Sequence, residues 1–187
     1  MRVIAGSARG RRLSAPGGTA TRPTADRVRQ ATFNALDSRG AVAGAVVLDA
    51  FAGSGALGIE ALSRGAARCT FVERDRSARR VVEANLAATG VDGRARLVDG
   101  DALAHLAATA ERFDLVLLDP PHATDAWPAL LDLVAARLDR DAVVVVESDR
   151  PIIGDGGQLD GGWRVIREKR YGGTVVQMLV PGPGPSS

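Results

Sequence analysis

The sequence predicts an α/β fold on a mostly parallel sheet of seven strands, and three observations carry that expectation. Short Val- and Leu-rich runs alternate with helical patterns along most of the chain. The runs lack a clear polar–apolar alternation, as expected of strands covered by helices on both faces. The chain then closes on two β-rich segments too near each other to enclose a helix, which makes the final pair antiparallel.

Taken in order, Met1–Ala5 and the basic stretch ending at Leu13 suit a small hairpin or arm, with Pro16-Gly17-Gly18 as a linker. A first helix begins near Thr24 and carries Val28, Ala31, Thr32, Ala35 and Leu36 on one stripe. The runs Val46–Ala50, Thr70–Glu73, Ala95–Val98, Asp114–Asp119 and Ala142–Glu147 are the parallel strands. Ala78, Val81, Val82 and Leu86 mark a helix that stops at Gly90. Trp127, Leu130, Leu131, Val134 and Leu138 form a further stripe, with Asp125 as cap and Pro128 in the first turn. Trp163–Tyr171 and Thr174–Val180 flank the two-residue turn Gly172-Gly173, and Pro181–Ser187 is a disordered tail. The expected organisation is thus an arm over residues 1–20, a principal domain over 21–180 and a tail over 181–187.

Composition narrows the function classes. The 187 residues are 45% apolar and 25% charged, which suits one soluble domain. Stretches such as Ala41 to Leu48 fall well short of the roughly 18 apolar residues a membrane span requires. No secretory signal is expected from the opening residues, and the single cysteine, Cys69, excludes an internal disulfide. Both point to the cytoplasm, with Cys69 a buried structural thiol. Net charge is only +2, yet the first thirty residues hold seven arginines against Asp26 alone. A basic segment on a mildly acidic body is a local surface for phosphate.

The chemistry begins at Asp49-Ala50-Phe51-Ala52-Gly53-Ser54-Gly55-Ala56-Leu57-Gly58, where a strand passes into a helix. Glycines there let the backbone turn sharply and approach a ligand, at the strand end where open α/β sheets bind one. Two ligands fit. Gly53, Gly55 and Gly58 satisfy the dinucleotide fingerprint of a nicotinamide-dependent oxidoreductase. Alternatively, Asp49 contacts the cationic methionine part of S-adenosylmethionine, with the glycines bordering its amino acid and ribose. Glu73, ending the second strand, suits two ribose hydroxyls in either case. Asp101 is placed to receive an adenine amino group, to cap a helix, or both.

Asp119-Pro120-Pro121-His122 decides between them. The prolines remove two backbone donors and hold the chain extended, leaving the Pro120 carbonyl as a preset acceptor. An amine on an aromatic ring is a poor nucleophile because its lone pair is delocalised. Asp119 and that carbonyl, accepting its two hydrogens, draw the nitrogen toward tetrahedral geometry and aim the lone pair at a sulfonium methyl. Asp119 is also a candidate proton acceptor. Hydride transfer offers this tetrapeptide no role.

With these residues in view, the chain resembles the amino-methyltransferases bearing an (Asn/Asp)-Pro-Pro-aromatic motif, and more closely the RsmD-type family of bacterial 16S ribosomal RNA guanine-N2 methyltransferases. The likeness runs from Met1 to about Val180 and includes Arg9-Gly10-Arg11-Arg12-Leu13, Arg22-Pro23-Thr24, the glycine loop and Asp119-Pro120-Pro121. It implies a Rossmann-like class I methyltransferase fold, S-adenosylmethionine as methyl donor, no metal, a cytoplasmic monomer, and a guanine of the small ribosomal subunit as target. Asp49, Phe51, Gly53, Ser54, Gly55, Glu73, Arg74, Asp101 and Ala102 would surround the cofactor, with Thr24 near its methionine end. Asp119, Pro120, Pro121 and His122 would hold the base. Arg2, Arg9, Arg11, Arg12 and Arg22 would meet RNA phosphate, giving affinity more than selectivity. His122 departs from the family's Phe or Tyr, and an imidazole stacks on a base with less area. It could instead hydrogen-bond the base or move a proton. His105 is expected to be structural or exposed. Adenine N6 in DNA or RNA is the alternative target.

Overall fold

The computed structural model describes residues 1–18, 23–121, 126–154 and 162–182. Helix α1 (Pro23–Asp37) leads into β1 (Val46–Asp49), α2 (Ala56–Ser63), β2 (Arg68–Glu73), α3 (Arg76–Thr89) and β3 (Ala95–Asp99). Then come α4 (Ala102–Ala108), β4 (Phe113–Leu118), α5 (Trp127–Ala135), β5 (Leu138–Ser148), β6 (Trp163–Tyr171) and β7 (Thr174–Pro181). The sheet order is β3-β2-β1-β4-β5-β7-β6. Strands β1 to β5 are parallel, whereas β7 runs antiparallel to both β5 and β6.

Side chains alternate between two cores, as they must on a sheet buried on both faces. Val47, Leu115, Leu117, Val143 and Val145 pack with α1, α2 and α3. Leu48, Val116, Leu118, Val144 and Val146 pack with α4 and α5. The chain reverses its direction of travel across the sheet between β1 and β4. That reversal opens a crevice at their carboxyl ends, where such sheets bind ligands. Among the described residues no helix is long and apolar enough to cross a membrane.

The basic N-terminal stretch forms a hairpin, with an antiparallel bridge between Arg2 and Arg12. Val3, Ala8 and Leu13 sit in the principal core, so the hairpin is docked on the body of the protein. The buried carboxylate of Glu60 on α2 accepts the N–H groups of Ile4 and Ala5 at 2.8 and 3.1 Å, and Arg64 Nε at 2.8 Å. Ser63 adds a bond from the Ala8 N–H to its hydroxyl. Arg64 continues to Asp37 and covers the Phe33 ring, which joins α1 to the same buried cluster.

Several boundaries differ from the sequence reading, among them that of the expected tail, because Pro181 closes β7 opposite Trp163. Leu138 is not on the preceding helix: α5 stops at Ala135, and Leu138 opens β5 opposite Phe113. The charged Asp139, Arg140 and Asp141 interrupt the apolar run there, so only the later part of this long strand looks like one. Strand β2 likewise starts earlier, at Arg68, whose head group pairs with Glu111 while the strand pairs with β1. Arg22 and the expected cap Asp125 lie outside the described residues, as do 183–187 of the expected tail.

Candidate active site

A cleft of about 700 Å³ opens at the carboxyl ends of β1, β2, β3 and β4. Ala50, Phe51, Val72, Ala102 and Leu103 give it apolar walls, and Glu73, Asp101 and Asp119 bring carboxylates to it. Gly53, Arg74, Gly100, Pro120, Pro121 and Ala126 complete the lining. A slot with apolar sides and acids at its rim suits a flat heterocycle joined to a sugar.

The glycine loop is shaped by its own backbone. Gly53 and Gly55 have φ of 54° and 77°, left-handed values that a side chain disfavours. Gly53 donates its N–H to Glu73 Oε2 at 2.9 Å, and the other oxygen of Glu73 accepts the Asp75 N–H at 2.8 Å. Asn85 of α3 donates to the Ser54 carbonyl at 2.8 Å and, from the same nitrogen, to the Ser14 carbonyl at 3.0 Å. Gly58 has a different task. A Cβ there would lie 2.3 Å from the Phe71 ring, so the glycine lets α2 close onto β2.

Asp49 lies beneath the loop and does not line the cleft. Its carboxylate is buried and accepts the Gly58 N–H at 3.0 Å in the first turn of α2. Burial pushes its pKa up to about 7, the Gly58 hydrogen bond opposes that, and the charges of Asp119 and Glu73 add to it. Asp101 is the helix cap that the sequence suggests. It caps α4 by accepting the Leu103 and Ala104 N–H groups, and it stands on the cleft wall.

Strand β4 delivers the acid–proline motif to the same cleft. Asp119 is exposed just past Leu118, whereas Pro120 is buried. Leu118 pairs with Val146, so Asp119 and Glu147 are adjacent across the two strands. The Asp119 charge raises the pKa of both Asp49 and Glu147.

The expected residues Phe51, Gly53, Glu73, Arg74, Asp101 and Ala102 therefore meet Asp119, Pro120 and Pro121 around one cavity, whereas Asp49, Ser54 and Gly55 are not part of its lining. Thr24 falls within α1, but its side chain and all of His122 lie outside the described residues. Arg2, Arg9, Arg11 and Arg12 are exposed on the hairpin. Cys69 is buried with its thiol pKa pushed up by burial, and His105 is partly exposed on α4. Sequence reasoning missed Ala50, Val72, Gly100, Leu103 and Ala126. Each adjoins a strand end or helix start already singled out, the one signal available for residues with so little chemistry.

The family model described as "Conserved hypothetical protein 95" matches residues 1–180. "Ribosomal RNA small subunit methyltransferase D" of Escherichia coli K12 is 38% identical over 95% of this chain and 88% of its own length. The protein of that name from Haemophilus influenzae is 34% identical over 92% and 89%. The chain belongs to the RsmD-type family. The solved structure of Escherichia coli yhhF is 37% identical, covers 97% of this chain and 98% of its own, and superposes with a TM-score of 0.81. RsmD-type membership thus accounts for hairpin and sheet alike, because the alignment spans both. A more distant structure, SMU.776, whose title gives it as complexed with SAH, shares the fold at 16% identity and a TM-score of 0.70.

Proposed function

We propose that this chain methylates ribosomal RNA, and more specifically transfers the methyl group of S-adenosylmethionine to the exocyclic N2 of a guanine in 16S RNA. The observation that carries the reading is convergence. Asp119-Pro120-Pro121 lines the same cleft as the Gly53 loop and Glu73. The relatives named for small-subunit RNA methylation support the substrate class.

The residues present fit the donor. Glu73 keeps a lone pair on each oxygen beyond its backbone bonds and can take two ribose hydroxyls. Phe51, Val72 and Leu103 offer apolar contact to an adenine, with Asp101 at its amino edge. Thr24, Ser54 and Gly55 belong to the methionine end of this assignment, with Asp49 buried at the end of β1. S-adenosylmethionine supplies an electrophilic methyl on a sulfonium, which requires no Lewis acid.

This chain's own residues prepare the acceptor. Asp119 and the Pro120 carbonyl accept the two amine hydrogens, fixing the nitrogen and restoring its lone pair. The rigid Pro120-Pro121 step prevents the acceptors from drifting. Asp119 takes the proton released on transfer, and His122 stacks on the flipped base. Exposed Arg2, Arg9, Arg11 and Arg12, together with Arg22, hold the RNA backbone, and nothing in this assignment needs a second copy of the chain. The site is a cytoplasmic enzyme's, working on the RNA or on an assembling subunit.

Changing Asp119 to Ala tests the mechanism. Methyl transfer should fall by at least about a hundredfold with RNA affinity retained, and an unchanged rate would remove the proposal. Mass mapping of ribosomal RNA from cells with and without the protein identifies the base. A missing methyl on adenine N6 would favour the alternative target.

A further inference from the structure

The parallel strands place four carboxylates, Asp49, Glu73, Asp119 and Glu147, near one another at their carboxyl ends. The assignment above accounts for the first three but not for Glu147. It is half-buried at the end of β5 and accepts no hydrogen bond from any described residue. By strand alternation with Val143 and Val145 it points to the face covered by α1 and α2. Its neighbours are Asp119 across β4, the guanidinium of Arg29 from α1, and the apolar Val176 on β7. A half-buried acid set beside a second carboxylate is costly, and active sites are where such costs are retained.

Its place relative to the donor cleft gives it meaning. The cleft is lined from the ends of β1, β2, β3 and β4, and no residue of β5 contributes. In-line displacement requires the nucleophile to approach the methyl from the side opposite its sulfur. On the side of Asp119 away from β1, β2 and β3 lies the adjoining strand, which carries no part of the cleft lining. That strand is β5, and Glu147 is the residue it presents beside Asp119. The segment after β5 is itself anchored, because the buried Gln177 amide bonds Ile152 and Ile153 and donates to Glu168.

We propose that Glu147 reads the target base, its carboxylate accepting the ring N1–H of guanine while Asp119 and Pro120 hold the adjoining 2-amino group. The proposal rests on the guanine-N2 reading and deepens it. Guanine carries a donor at N1 beside the reacting amine, whereas adenine carries an acceptor at its own N1 beside N6. One carboxylate thus welcomes the first and repels the second. Burial and Asp119 push the Glu147 pKa up to about 7 while Arg29 opposes them, and a ring N–H donor favours the ionised form.

The test compares guanine with 2-aminopurine, which keeps the 2-amino group but has a bare N1, at the methylated position of small-subunit particles reconstituted from synthetic RNA. Wild-type protein should prefer guanine by about tenfold to a hundredfold in kcat/KM. In Glu147→Gln, activity on guanine should fall by a similar factor. The preference should then vanish or reverse, since the amide N–H can serve the bare N1. An unchanged preference overturns the role of Glu147 and leaves the guanine-N2 reading standing. Equal loss on both bases marks a structural residue and also overturns it. If wild-type protein methylates no guanine, both readings fall together.

Discussion

Asp49 accepts the Gly58 N–H at 3.0 Å while buried from water, so one carboxylate ties the end of β1 to the first turn of α2. The arrangement opposes ionisation. Burial, Asp119 and Glu73 together outweigh the Gly58 hydrogen bond and raise the pKa from 3.8 to about 7.

A pH dependence of stability follows. The carboxyl holds its proton more tightly in the folded chain, so its contribution is full below 3.8 and is lost as pH rises toward 7. The slope per such group is about 1.4 kcal/mol per pH unit. Glu147 contributes in the same direction. Asp49→Asn, which keeps an oxygen for Gly58, should flatten part of the decline. Melting temperatures between pH 5 and pH 8 check this, and parallel curves for the two proteins would contradict it.

Glu60 is the acid whose loss should cost most. It is buried, it bonds two hairpin amides, and it lies against Arg64 and Arg29. Removing one partner from such a cluster leaves buried charge uncompensated, worth about 3–5 kcal/mol. Glu60→Ala should destabilise by that order in urea unfolding. The Ile4 and Ala5 amides should exchange with solvent far faster than in the wild type.

Gly58 tests close packing. A methyl there would meet Phe71 at 2.3 Å and the Cys69 sulfur at 2.8 Å. Gly58→Ala should lose about 1–3 kcal/mol through overpacking. Pairing it with Phe71→Leu should return part of that loss, seen as a partial recovery of the denaturation midpoint.

Glu73 tests the cofactor assignment. S-adenosylhomocysteine at a hundred times its Kd should stabilise the protein by about 2.7 kcal/mol, and NAD should not. Glu73→Ala should abolish most of that thermal shift. A shift with NAD instead would revive the dinucleotide reading of the glycine loop.

The hairpin cations are tested by salt. Changing both Arg11 and Arg12 to Ala should weaken RNA binding and reduce the salt slope of log K by about one for each phosphate no longer neutralised. An unchanged slope would separate the hairpin from the RNA surface.

Much of this molecule is legible without coordinates, for definable reasons. Buried parallel strands need apolar runs, and helices beside them need stripes, so Val46–Asp49 and Arg76–Thr89 announce themselves. Leu138 misleads because its spacing from Val134 continues a helical stripe. Only its pairing with Phe113 assigns it to a strand. The glycine loop and Asp119 stand out because each needs unusual residues. Glu147 does not. It closes an ordinary Val-rich run, and strand register alone reveals what stands beside it. The depth of Asp49 is equally hidden, since the same residue at the same strand end could have faced the cavity.

The docked hairpin carries a mechanical consequence. Glu60, Ser63 and Asn85 fasten it at Ile4, Ala8 and Ser14, and Asn85 grips the loop at Ser54 with the same side chain. With no swivel between its basic tip and the cavity, the two act like the fixed jaws of a caliper. A polymer bound by one jaw would present to the other only what lies one set span along its fold.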